Sequence, residues 1–92
     1  MIKISNKDIY RDGAKIGWFE NKGIFNESGE KIGYISGNDI NDARGNKIAY
    51  LVGDDIKRVG RDNLLRVEQI NKEVTGGNLN DLERGAVFIL FG

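Results

Sequence analysis

Trp18, Tyr34 and Tyr50 are separated by sixteen residues each. Aromatic rings repeated at fixed spacing along a sheet can stack on sugars or bases, or form a protein interface. Packing across neighbouring strands is the more usual role of such residues. These three form the candidate binding ladder. Beside them, Gly17, Gly33 and Ala49 occupy one repeat position. A glycine within a strand marks close approach of another backbone or a large side chain, and less often a ligand cleft.

No other residue pattern spells out a reaction. The chain has no Cys and no His. That excludes thiol nucleophiles, disulfides, thiolate or imidazole metal sites, and any Ser-His triad. Asp39, Asn41 and Asp42 precede Gly45 as in a calcium loop, but Ala43 breaks the alternation of ligands and Tyr50 stands where the closing acid belongs. Asp12, Glu27 and Asp42 read as turn residues. Gly13 to Gly17 lacks the Gly-Lys-Ser/Thr spacing of a phosphate loop. Carboxylate pairs occur at Asp54-Asp55 and at Asp81 and Glu83, with little chain to build a cleft around them. The expectation is a non-enzyme with no catalytic residue, cofactor or metal.

Fourteen basic residues balance fourteen acidic ones over 92 residues. The balance holds along the chain, so no basic stripe marks a nucleic-acid site and no polybasic segment a membrane surface. The longest apolar run, Ala86 to Phe91, is far shorter than the roughly 20 residues of a membrane span. No basic segment followed by an apolar one opens the chain, which suggests a cytoplasmic protein. Zero net charge does little to keep copies apart.

The elements that must position these residues are repeats. Ile9 to Phe19, Ile24 to Ile35 and Ile40 to Leu51 align, each with a turn glycine (Gly13, Gly29, Gly45) three residues before an Ile. A fourth unit begins at Asp55-Ile56. The first unit is one residue shorter at its turn. Asp12-Gly13 suits a two-residue type I′ loop, and Glu27-Ser28-Gly29 a three-residue loop with glycine in the left-handed region. Pairing outward sets Ile9 opposite Ile16, Ile24 opposite Ile32 and Ile40 opposite Ile48. Two-residue turns at Asn21-Lys22, Gly37-Asn38 and Gly53-Asp54 set Phe19 opposite Ile24, Ile35 opposite Ile40 and Leu51 opposite Ile56. The spacing predicts an antiparallel meander with strands at 2–5, 8–11, 15–20, 23–26, 31–36, 39–42, 47–52 and 55–58.

Strand parity then puts apolar residues on both faces. One collects Ile9, Ile16, Trp18, Phe25, Ile35, Ile40, Ile48 and Tyr50; the other Tyr10, Phe19, Ile24, Ile32, Tyr34, Leu51 and Ile56. Both faces are covered, or one turn has a different parity. Cover can come from the C-terminal third. Asp62 can cap a helix over 63–74, with Leu64, Val67, Ile70 and Val74 on one side, ended by Gly76-Gly77. Asn78 or Asn80 can cap a second helical turn carrying Leu79 and Leu82. Residues 86–91 fit a helix slightly better than a strand, and Phe88, Ile89, Leu90 and Phe91 should be buried on the sheet.

The unit Ile-x-Asp/Glu-x-x-Gly-x-x-Ile-Gly-Tyr-Ile resembles 16-residue hairpin repeats of small uncharacterised bacterial proteins that end in an apolar helix-prone tail. Positions 8–57 match the unit and 79–91 the tail. The repeat is also loosely similar to tyrosine-aspartate repeats of large bacterial shell toxins, but here Arg11 separates Tyr10 from Asp12 and the later units hold Phe25-Asn26 and Asn41-Asp42. The resemblance implies architecture and no activity.

The sequence therefore predicts a mainly β fold: an antiparallel β-meander of hairpin repeats over 1–58, with a C-terminal helical and apolar segment over 59–92 packed on it as one domain. An open second face predicts a homo-oligomer, at least a dimer. The expected function is a protein-interaction or self-associating module. A glycan- or cell-envelope-binding module using the aromatic ladder is a second reading, and a small phage or mobile-element inhibitor a third.

Overall fold

The computed structural model describes residues 1–60 and 64–91. Eight strands follow the predicted spacing closely: β1 (Ile2–Ser5), β2 (Asp8–Arg11), β3 (Ala14–Glu20), β4 (Gly23–Asn26), β5 (Lys31–Ser36), β6 (Asp39–Asp42), β7 (Lys47–Val52) and β8 (Asp55–Arg58). They pair in chain order, each antiparallel to the next. Asn21 and Lys22 both have positive φ, as a type I′ turn requires, and so do Asp12 and Gly13.

The C-terminal third adds two strands as well as helices. β9 (Leu64–Arg66) pairs with β8. α1 (Val67–Glu73) follows directly, and β10 (Val74–Gly76) pairs parallel to β1. The predicted helix over 63–74 is thus cut back to seven residues. Leu64, expected on its buried side, is in β9 and exposed; Asp62 lies outside the described residues. α2 (Asp81–Phe91) ends the described chain as a helix. The Glu83 N–H donates to Asn80 Oδ1 at 2.8 Å, and the Asn80 N–H donates to Glu83 Oε1 at 2.8 Å. That reciprocal capping box starts α2.

β9 and β10 are the two edges of a ten-stranded sheet. α1, roughly 10 Å long, joins one edge to the other. Laid flat, ten strands would span about 43 Å, but the longest dimension of the molecule is 32 Å. The sheet is curled, and α1 closes its gap.

The register corrects the inner half of each hairpin. Phe19–Ile24, Ile35–Ile40 and Leu51–Ile56 stand opposite each other as predicted. Ile9, however, faces Gly17, Ile24 faces Gly33 and Ile40 faces Ala49. Ile16, Ile32 and Ile48 are the extra residues of three β-bulges, at the same place in each unit. Each bulge shifts strand parity by one, so the two-sided apolar sheet disappears. Ile4, Ile9, Phe19, Ile24, Ile35, Ile40 and Ile56 share one buried inner face. The open second face that argued for a homo-oligomer is not there.

α2 fills the inside of the curl. Its last turn is apolar all round, and its four side chains point to successive sectors of the sheet. Phe91 Cζ lies 2.7 Å from where a Cβ on Gly17 (β3) would sit, and Leu90 Cδ1 lies 2.6 Å from the equivalent point on Gly33 (β5). Ile89 lines a cleft with Ile48 of β7. Phe88 lines clefts with Leu65 of β9 and Ile2 of β1, on either side of the closing gap. Gly85 meets Ile56 Cδ1 of β8 at close range. The Arg11 guanidinium donates to the Phe91 carbonyl, placing a cation at the helix C-terminus. Val87 is fully buried, whereas Phe88, Ile89, Leu90 and Phe91 remain half-buried at the open end.

Gly33→Ala should therefore destabilise the fold by about 1–3 kcal/mol, the usual cost of overpacking. In a Leu90→Ala background the added cost should shrink but not vanish, because the Asn41 carbonyl also lies 2.8 Å from that Cβ position. A double-mutant cycle by chemical denaturation measures this coupling.

Candidate binding surface

With the inner face sealed around α2, the repeated aromatics lie on the outer face. Trp18 is on β3, Tyr34 on β5 and Tyr50 on β7, all half-buried. They sit two strands apart, a pitch of about 10 Å. The structure brings all three onto one face as a regular row. They are not bare rings. Lys15 Nζ lies over the Trp18 ring at 5.5 Å, Lys31 Nζ over Tyr34 at 5.0 Å and Lys47 Nζ over Tyr50 at 4.5 Å. The bulge makes this possible. It sends Ile16, Ile32 and Ile48 toward the core, so the residue before and the residue two after it project from the same outer side.

Trp18 and Tyr34 also pack along the sheet. Trp18 stacks on Phe25 of β4 with centroids 5.5 Å apart and planes 10° apart. Its far edge reaches Gly29 in the following turn, and the Tyr34 hydroxyl reaches Gly45 in the turn beyond. Trp18 and Tyr34 thus reach across the neighbouring strand and its turn, which contributes to their half-burial. A sugar could stack on them only by displacing a lysine.

The lysines differ in their acidic partners. Lys15 Nζ is 3.2 Å from Asp8 Oδ1, and Lys47 Nζ is 3.5 Å from Asp39 Oδ1. Gly23 stands at the equivalent position of the middle unit, opposite Tyr34. There the Lys31 stem passes over the bare glycine instead of over an acid. Exposed ion pairs of this kind contribute at most about 1 kcal/mol. The outer face as a whole carries Lys3, Lys15, Lys31, Lys47, Lys57 and Arg66 against Asp8, Glu20, Asp39 and Asp55. It is net positive on a chain whose formal charge is zero.

The aligned units already spelled Lys-Ile-Gly/Ala at 15, 31 and 47, so the lysines were visible as repeats. Their placement over the rings was not, because it depends on the bulge. Gly17 and Gly33 do mark close approach, by the neighbouring strand's backbone (the Phe25 and Asn41 carbonyls) and by Phe91 and Leu90 of α2. Asn26 and Asp42 build the turns at the end where α2 emerges. Asn26 Oδ1 accepts from the Ser28 and Glu30 N–H groups, and Asp42 Oδ1 from those of Arg44 and Asn46. The Asn46 and Arg44 N–H groups hold the Asp42 carboxyl below its ordinary range despite some desolvation.

Among the described residues, no three acidic side chains gather in a way that could hold a metal, and no helix is long and apolar enough to cross a membrane. No family model, curated protein or solved structure matches the chain.

The folded Asp42 pKa lies below the unfolded value, so its turn bonds stabilise the fold above the ordinary carboxylate range. That stabilisation is lost as pH falls through the folded value. Asp42→Ala should lower the melting temperature at neutral pH and weaken the acid-side dependence, read from melting curves between about pH 2 and 7. Asp42→Asn should retain most of the stability, since Asn26 builds the same turn one unit earlier.

Proposed function

We propose that the chain is a non-enzymatic binding module that engages a protein partner through its outer face. The observation that carries this reading is the threefold lysine-over-ring pair, repeated at about 10 Å on a face the core does not use. A lysine held over a ring brings apolar area and positive charge to one place. Three such pairs in a row suit an extended, acidic surface of another protein. Nucleic acid is a weaker fit, because the excess of cations on this face is small against the several phosphates such binders neutralise. A glycan ladder is also weaker, since the lysines occupy the ring faces a sugar would need.

Affinity capture from the native host, followed by mass spectrometry, tests the proposal. The wild-type chain should enrich a protein with an acidic surface, and a Lys15→Gln, Lys31→Gln, Lys47→Gln variant with unchanged melting should lose it. Retention of the same partner by the triple variant would refute the outer-face reading. Recovery of saccharide or nucleic acid in place of protein would refute the partner class.

A further inference from the structure

The shape of the outer face narrows the kind of protein partner it can take. Trp18, Tyr34 and Tyr50 stand on β3, β5 and β7, the strands that Phe91, Leu90 and Ile89 address from inside. Consecutive helix residues point about 100° apart. The outward directions at the three strands therefore fan across well over a right angle. A flat surface resting on the middle lysine-ring pair stands clear of the pairs on either side. The row is convex, and only a ligand that bends around it reaches all three.

Cations recur along the whole of that curve. Lys3, Lys15, Lys31, Lys47 and Lys57 are exposed on β1, β3, β5, β7 and β8. Asp8 and Asp39 engage Lys15 and Lys47. Among the described residues, Lys3, Lys31 and Lys57 have no acidic group within ion-pair distance. The uncommitted cations thus lie at both ends of the track and at its middle. The other strand acids of this face are Glu20, the last residue of β3, and Asp55, the first of β8.

We infer that the outer face is wrapped by a flexible acidic segment of its partner, laid across the strands from β1 to β8. The inference rests on the outer-face reading above and specifies its ligand. A pitch of about 10 Å takes about three extended residues. Acids spaced three or four residues apart can then meet successive lysines while the chain between them crosses the rings. Ordering a flexible segment costs entropy. Each contact made raises the effective concentration for the next, so length along the track offsets that cost.

Titration followed by the emission of Trp18, the one tryptophan of the chain, and by calorimetry tests this. The probes are flexible peptides of Glu, Gly and Ser with an acid about every third residue, one of about a dozen residues and one of half that length. At low salt the long peptide should bind one per chain and change the Trp18 emission. It should bind roughly tenfold or more tightly than the short one. Lys31→Gln, an exposed substitution with unchanged melting, should remove most of that advantage, because it takes away the middle anchor. Equal affinity for the two lengths would overturn the wrapping and leave the outer-face reading standing, with the pairs as separate sites. So would capture of a folded acidic protein through the three lysines of the row, with neither peptide bound. An equally charged single-stranded oligonucleotide that binds as tightly as the long peptide would overturn a peptide ligand.

Discussion

The last turn of α2 needs apolar cover on every side at once. Consecutive residues of an α-helix are about 100° apart, and four hairpin units around a closed ring are about 90° apart. Phe88, Ile89, Leu90 and Phe91 can therefore each address a different unit, and they do so in reverse chain order. Much else follows. The strand position beside the helix must be small where a large side chain arrives and the next strand's carbonyl crowds it, hence Gly17 under Phe91 and the Phe25 carbonyl, and Gly33 under Leu90 and the Asn41 carbonyl. Leu65 holds that position in the fourth unit, and there Phe88 is left lining open clefts beside the gap. The sheet must curl far enough for α1 to link its edges, which removes two otherwise exposed edge strands from easy pairing.

Sealing the core on the inside determines what the outside can carry. The three bulges turn Ile16, Ile32 and Ile48 inward while leaving Lys and ring on the outer side of the same strand. One local irregularity, repeated, thus serves packing and surface chemistry together. Trp18 and Tyr34 pack across neighbouring strands, and all three rings sit under lysines in a regular row. The proposed function rests on that row.

The strands and outer turns were legible because a period of sixteen and the positive-φ demands of turn residues constrain them locally. The bulges were not, since an extra residue inside a strand leaves loop lengths unchanged. Their trace was the paradox of a sheet apolar on both faces, which an odd residue in each unit resolves. Asn80 and Glu83, spaced as a capping box, carried the signal that residues 81–91 are helical. β9 and β10 are three residues each, and β10 pairs with a strand some seventy residues away. Leu64, Val67, Ile70 and Val74 mimic a helical stripe because strand, helix and strand follow one another without a break. Strand parity alone set Tyr34 on the face opposite Trp18 and Tyr50; the three bulges correct this and bring all three rings onto one face, with the lysines over them.

Nuclear Overhauser contacts from the end of α2 test the axial helix most directly. The account predicts contacts from the Phe91 ring to the Gly17 Hα, from the Leu90 methyls to the Gly33 Hα, and from the Gly85 Hα to the Ile56 δ-methyl, all within one chain. Contacts from residues 85–91 confined to one side of the sheet, or absent altogether, would contradict it.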